Sequence, residues 1–153
     1  MVDSVQKLVL QNIKTKLEEL TWPSLVEFER IRLYSSDFKD HEIPAIQIYD
    51  VGETARTVQG RTENEWTLTI ELILRPLQDD VADQGLLFDR KLEIKRKLGE
   101  DPTLGLGSLV PSQGRFKHIK YIRGLTDLHI LSPYFMARLD YQALFEEPFS
   151  SEC

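Results

Sequence analysis

The clearest pattern along the chain lies at residues 64–76 (NEWTLTIELILRP), where apolar and polar side chains alternate. Side chains of a β-strand point alternately to the two faces of a sheet, so this period of two predicts a half-buried strand. Trp66 is in phase with Leu68 and Ile70, and we expect it in the core rather than at a ligand. Ile73 is the one apolar residue on the polar side of the strand.

Two segments, residues 3–20 and 79–98, have the spacing of amphipathic helices. We expect Asp3 to cap the first helix and Gly99 to end the second in a left-handed conformation. The second helix begins with acidic residues and ends with basic ones, the order that the helix dipole favours. Apolar positions of the first helix form one row (Val2, Val5, Val9, Ile13, Leu17, Leu20). Those of the second form two neighbouring rows (Leu87, Ile94 and Leu98; Phe88 and Leu92).

The hydrophobic patterns predict four further strands, at residues 25–34, 43–49, 116–123 with a short extension at 128–131, and 134–145. The first changes phase half-way, which is typical of a bulge or an edge strand. Residues 50–63 join the second strand to the central one, and we expect a long polar loop there. A connection of this length favours a functional role.

This element order, α-β-β-β-α-β-β, predicts an α+β fold with a mainly antiparallel four- to five-stranded sheet and two helices packed on one face. The length of 153 residues fits one domain, because a single core is marginal in chains below about 70 residues. We expect residues 1–146 to form that domain and residues 147–153 to be a mobile C-terminal tail.

Composition narrows the functional classes. The formal net charge of −6 argues against a general nucleic-acid binder, which needs clustered cations. The single cysteine, Cys153, leaves no internal disulfide and no thiolate metal cluster, as in a protein made in a reducing cytoplasm. The N-terminus has no signal-peptide pattern, and no window approaches the roughly 18 apolar residues of a membrane helix. We therefore expect no membrane partner.

No arrangement of reactive side chains points to catalysis. Asp79, Asp80 and Asp83 have the DDxxD spacing of some magnesium sites, but at a helix start we expect them to offset the helix dipole. Gly105 and Gly107 lack the lysine of a phosphate loop and favour a turn. No histidine has a partner at metal-ligand spacing (His41, His118, His129). Without a nucleophile motif either, we expect no catalytic residue, no metal and no cofactor, and not an enzyme.

Several local patterns together resemble one known family. They are IPAIQIY at residues 43–49, the alternating strand at 64–75, LGEDPTLGLGSLV at 98–110 and a closing strand at 134–145. In this order, after an N-terminal helix, they resemble the tail-terminator proteins of tailed bacteriophages, also called tail-completion or minor tail proteins of the U type. The resemblance covers nearly the whole chain. The third pattern departs from the family, because Leu106 separates two glycines that are adjacent there.

The resemblance implies a structural role in a virion. Proteins of this family form a hexameric ring at the head-proximal end of the tail tube, end its polymerisation and present a surface for joining the head. The implied partners are further copies of the chain, the tail tube protein and the head-tail connector protein, with assembly in the cytoplasm of a host bacterium. DNA would pass through the ring without specific binding, and an acidic lumen would limit adhesion.

The residues that we expect at the ring or tail-tube interface lie in the segment 51–63 and on the outward face of the central strand. They are Arg56, Val58, Arg61, Thr67, Glu71, Ile73 and Arg75. The polar tail is also expected to face partners. In a ring, the outward face would be covered by a helix or a neighbouring subunit, or would line the lumen.

Two other functions remain open from the sequence. A head-completion or neck protein of the same kind of particle would bind the connector rather than the growing tube. A small-ligand regulatory module with a ferredoxin-like α+β fold would bind a specific small molecule and form no ring.

Overall fold

The computed structural model describes residues 4–28, 38–75, 80–106, 114–127 and 135–146. Two helices and five strands lie in this part of the chain. Their bounds are α1 (Val5–Glu18), β1 (Leu25–Glu27), β2 (Ala45–Val58), β3 (Arg61–Leu74), α2 (Asp80–Gly99), β4 (Arg115–Asp127) and β5 (Phe135–Glu146), with one 3-10 turn at Asp40–Glu42. The predicted strand extension at 128–131 and the predicted tail at 147–153 lie outside the described residues, as do residues 29–34 of the predicted first strand.

The five strands form one sheet in the order β1-β2-β3-β5-β4. β1 runs parallel to β2, and the three other pairings are antiparallel. The predicted α+β class, element order and mainly antiparallel sheet are confirmed, with the sheet mixed rather than purely antiparallel. β3, the strand with the clearest alternation, lies at the centre of the sheet.

Both helices pack on the face of the sheet that carries the apolar residues of β3, as predicted. In α1 the residues Val5, Val9, Ile13 and Leu17 are buried, each at most 4% exposed. The cap of this helix is Ser4, whose Oγ accepts a hydrogen bond from the backbone N–H of Lys7 at 3.1 Å. The predicted cap, Asp3, lies outside the described residues.

The two apolar rows of α2 have different environments. Leu87, Ile94 and Leu98 are buried in the core, whereas Phe88 is 58% and Leu92 43% exposed. The helix therefore uses only its first row to cover the sheet.

The predicted left-handed end of α2 at Gly99 is wrong. Gly99 is the last helical residue, and the positive φ values lie further on, at Leu104 (53°) and Gly105 (70°). The reason is Asp101, which holds the chain in a turn of its own. Its Oδ1 accepts from the Thr103 N–H at 3.1 Å, and its Oδ2 accepts from the Gly105 N–H at 2.9 Å.

The predicted long loop at residues 50–63 is also wrong. β2 and β3 form one hairpin, paired from Ala45↔Ile73 up to Val58↔Arg61 with a single bulge between Asp50 and Gly52. The turn consists of Gln59 and Gly60, both with positive φ (51° and 80°). Two positive φ values give a turn whose twist matches that of the paired strands. Two residues are therefore enough to connect β2 to β3.

Candidate interaction surfaces

The sheet has a second face, opposite the helices, which we call the outer face. It carries the odd-numbered residues of β3 from Glu63 to Ile73, together with their register partners on β2 and β5. The apolar alternation of β3 thus separates a hydrophobic face from a polar one, as the sequence predicts.

One end of the outer face is covered by the chain itself. Ile73 is fully buried in a small apolar cluster (Phe38, Ile43, Ala45, Ile73, Met136). Phe38 and Ile43 flank the 3-10 turn, which brings them onto the sheet from the segment before β2. This explains why Ile73 breaks the polar alternation of β3: it has an apolar partner within its own chain.

Glu71 is the most buried carboxylate of the outer face, at 2% exposure. Its Oε1 accepts from Gln47 Nε2 at 2.6 Å, and its Oε2 accepts from Arg138 Nε at 2.9 Å and from the Tyr49 hydroxyl at 3.2 Å. A buried carboxylate needs this many donors to offset the loss of water. Burial, followed by the charge of Glu71, raises the pKa of Tyr49 to about 12.

Asp140 lies in a similar arrangement at the next residue pair of the outer face, opposite Thr69. It is 7% exposed, and it accepts hydrogen bonds from the Thr69 hydroxyl and from Arg123 Nε, both at 2.7 Å. Near the hairpin turn, Glu63 accepts from Arg56 at 2.6 Å and from Lys117 at 2.9 Å. These two hydrogen bonds hold the pKa of the Glu63 carboxyl below its usual range.

In each of these groups the acid is buried and the cation reaches the solvent. The side chains of Arg56, Arg123 and Arg138 are all more than half exposed, whereas their carboxylate partners are nearly inaccessible. The outer face therefore presents guanidinium groups, in contrast to the acidic character that the net charge of the chain suggests. A partner that binds this face therefore contacts guanidinium groups whose positive charge is largely balanced by the buried carboxylates beneath them.

The structure divides the seven candidate interface residues among three places. Arg56, Val58 and Arg61 lie at the hairpin end, where the backbones of Val58 and Arg61 pair next to the turn. Thr67, Glu71 and Ile73 follow one another along the outer face. Arg75 lies beyond the other end of β3, where its guanidinium donates to the backbone oxygen of Asp40. At about 3.3 Å per residue, Arg61 and Arg75 are roughly 45 Å apart along the strand.

The sequence predicts a bulge or an edge strand at residues 25–34, and β1 is indeed an outermost strand, but none of the candidate interface residues was placed at an edge of the sheet. β1 covers β2 only at Ala45, Ile46 and Gln47, so from Ile48 to Val58 no described strand lies on the far side of β2. β4 is the opposite edge and pairs with β5 alone among the described strands. The second apolar row of α2 was the signal that could have located the β4 edge, because a row that no core needs points to a surface contact.

The described residues contain no cluster of three or more His, Cys, Asp or Glu side chains that could hold a metal ion. Of the DDxxD aspartates, Asp79 lies outside the described residues and Asp83 is buried at 1% exposure. Trp66, also 1% exposed, donates to Asp50 Oδ1 at 2.8 Å, which confirms its place in the core. No helix in the described ranges is long and apolar enough to cross a bilayer.

Comparison with known proteins bears on the fold. No protein-family model matches the chain, and no curated protein matches it either. Among solved structures, a chain in the virion of a native gene transfer agent particle has a similar fold, with a TM-score of 0.53 at 12% sequence identity. The alignment covers 94% of this chain and 95% of that one. At this identity, the likeness establishes a common architecture from end to end.

Proposed function

We propose that this chain is a structural protein of a phage-like virion, and that it forms a hexameric ring on the head-proximal end of the tail tube. The ring ends tube polymerisation and offers the joining surface to the head connector. The observation that carries this proposal is the fold shared along almost the full length of both chains with a component of a gene transfer agent virion. The tail-terminator resemblance of the sequence supplies the position in the particle.

The stretch at 98–110 that contributes to the resemblance has a structural explanation in its described part. Asp101 fixes the turn, and Leu104 is buried at 2% exposure with its carbonyl accepting from Asn12 Nδ2 at 2.7 Å. The backbone N–H of Ile119 in β4 also donates to the Pro102 carbonyl of this turn, at 2.9 Å. The turn thus ties α2 to α1 and to β4. The architecture of the chain therefore accounts for this part of the pattern.

Within the ring, the hairpin end is the surface proposed to contact the tail tube or the connector. Residues 51–57 are all exposed, although their backbones are held in register with β3. A paired hairpin presents such residues with little entropy left to lose on binding, unlike a loop of the same length. Arg56, Val58 and Arg61 are the proposed contacts there, and Glu71 with its donors keeps the strands behind them in register.

A shortened hairpin tests this assignment. Deletion of residues 56, 57, 62 and 63 removes two complete register pairs and joins Ala55↔Asn64 directly to Val58↔Arg61. We expect a folded protein that no longer stops the growth of tail tubes assembled in vitro. The double substitution Thr57→Ala with Thr62→Ala is the matched control, since it alters the same hairpin, keeps its length and leaves the proposed contacts in place, and it should still cap. Tubes that stop normally with the shortened variant would show that the hairpin end is not the contact.

A head-completion or neck protein is the second candidate, because the same fold similarity fits another position in such a particle. Particles assembled without the chain separate the two. Loss of a tail terminator should give tubes of uncontrolled length, whereas loss of a neck protein should give tubes of normal length that remain unjoined to heads.

A further inference from the structure

Six large hydrophobic side chains of the described residues are exposed. Three lie on β4 (Tyr121, Ile122, Leu125), two on α2 (Phe88, Leu92), and the sixth, Val51, lies on β2 in the part that β1 leaves uncovered. Single exposed apolar residues are ordinary on a monomer surface. A set that gathers along an open strand edge is typical of a contact with another chain.

The second row of α2 lies next to β4. Lys95 Nζ lies 4.2 Å from the centre of the Tyr121 ring, and Lys91 Nζ is 3.3 Å from the position that a Cβ on Gly124 would occupy. Leu92 falls in the same helical turn as these two lysines, and Phe88 lies one turn before it. Tyr121 and Gly124 therefore lie on the helix side of β4, next to this row, whereas Leu125, the register partner of Arg138, lies on the outer face. We call the outermost strand β4, together with the Phe88 and Leu92 row of α2, the β4 edge.

The charges of the two edges are complementary on the helix side of the sheet. Lys91 and Lys95 lie there, next to Tyr121 and Gly124 of β4. At the β2 edge, Asp50 and Glu53 lie on the helix side, because Asp50 accepts from Trp66 and Glu53 accepts from Gln6 of α1. A positive edge in a chain of net charge −6 is a local exception, and such complementarity specifies a partner.

The strand directions allow the two edges to pair. From β2 through β3 and β5 to β4 each neighbour is antiparallel, so β4 runs opposite to β2. A second copy placed beside the first in the same orientation brings its β2 antiparallel to β4. The same helix layer then lies on the same side of both copies, and its lysines meet the carboxylates of the neighbour.

We propose that the β4 edge of one copy, with the Phe88 and Leu92 row of α2, docks in a second copy against the part of β2, from Ile48 to Val58, beside which no described strand lies. This inference deepens the proposed ring and rests on it for the identity of the occupant. The contact is heterologous, because two different surfaces of the same chain meet, and repetition of such a contact closes a ring when the rotation allows. Closure leaves neither edge exposed.

β4 also has features that protect a free edge in a monomer. It contains bulges between Phe116 and His118 and between Tyr121 and Arg123, and basic side chains line it. Protection alone, however, does not account for the position of Ile122, 45% exposed inside the second bulge, or of Leu125, 51% exposed two residues beyond it. A contact with a second copy accounts for both.

Disulfide trapping between two single-cysteine variants tests the inference, in a Cys153→Ser background. One variant carries Val51→Cys, and in the other a cysteine is moved through positions 119–125 of β4. We expect cross-linked dimers when the two variants are mixed, with the yield highest at one register position, and none from Val51→Cys alone. The variant with both cysteines should give a ladder of oligomers.

Cross-linked dimers from the β4 cysteine variants alone would overturn the inference, because they require two identical edges to meet. So would rings in electron micrographs without any cross-link between β2 and β4, and that result would leave the proposed function standing. Cross-linked rings that have no effect on tube growth would instead confirm the contact and contradict the capping role. A chain that stays monomeric at all concentrations would overturn the contact.

Discussion

Asp101 has a larger structural role than its partly exposed position suggests. It accepts from Thr103 through both the backbone N–H and the hydroxyl, the latter at 2.6 Å, and from the Gly105 N–H. These hydrogen bonds, of which the one from the Thr103 hydroxyl has the largest effect, hold the pKa of the Asp101 carboxyl below its usual value. The turn that it stabilises places Leu104 in the core beside α1, so one surface carboxylate positions a buried leucine.

Protonation of Asp101 should therefore weaken the fold at low pH. Because its pKa is lower in the folded chain, the stabilisation is present above the unfolded value of about 3.9 and is lost as the pH falls through the folded value. Asp101→Asn keeps the turn-forming side chain without the charge. We expect the urea midpoint of the natural chain to exceed that of Asp101→Asn at pH 6 and the two to converge near pH 2. A constant difference would mean that charge has no part in the turn.

The buried carboxylates of the outer face illustrate what a sequence reveals at the residue scale. Alternation in β3 predicts that Glu71 lies on the polar side of the strand, and this is correct. It does not predict that Glu71 is buried, because its donors Gln47 and Arg138 come from two other strands. Strand order and register decide these contacts, and neither is present in the pattern of one segment.

Among the helices and strands, correct prediction from the sequence depended on whether the apolar side chains of a segment lie on the one face that meets the core. α1 buries one face, and β3 has its apolar side chains mainly on the face toward the helices, so their periods identified them. Residues 51–57 of β2 are exposed on both faces, so hydrophobic alternation is absent and the segment resembled a loop. The turn signal was also weak, because Gln59 stands where asparagine or aspartate more often precedes the glycine.

The two rows of α2 allow a comparison within one helix. Leu87→Ala removes a fully buried side chain and should lower the free energy of unfolding by about 2–5 kcal/mol. Leu92→Ala removes a side chain that is 43% exposed and should change it by only about 0.5 kcal/mol. The second substitution should instead weaken self-association, measured by analytical ultracentrifugation. Equal losses of stability in urea unfolding would place both rows in the core.

At the scale of the whole molecule, the sheet has two unlike edges, and each carries apolar side chains in solvent. The sequence predicted an assembly through family resemblance and placed the contacts at the hairpin and the outer face. It did not locate the β4 edge, since which strand becomes outermost depends on the order β1-β2-β3-β5-β4. A head-to-tail ring uses the hairpin end and the edges for separate contacts, the first with other virion proteins and the second with further copies.

Electron microscopy of tail tubes assembled from the tail tube protein, with and without the purified chain, tests the proposed capping role. Added chain should stop elongation, and a ring of six copies should lie on one end of each tube. Tubes that elongate at the same rate with both ends bare, at concentrations where the chain is folded, would contradict that role.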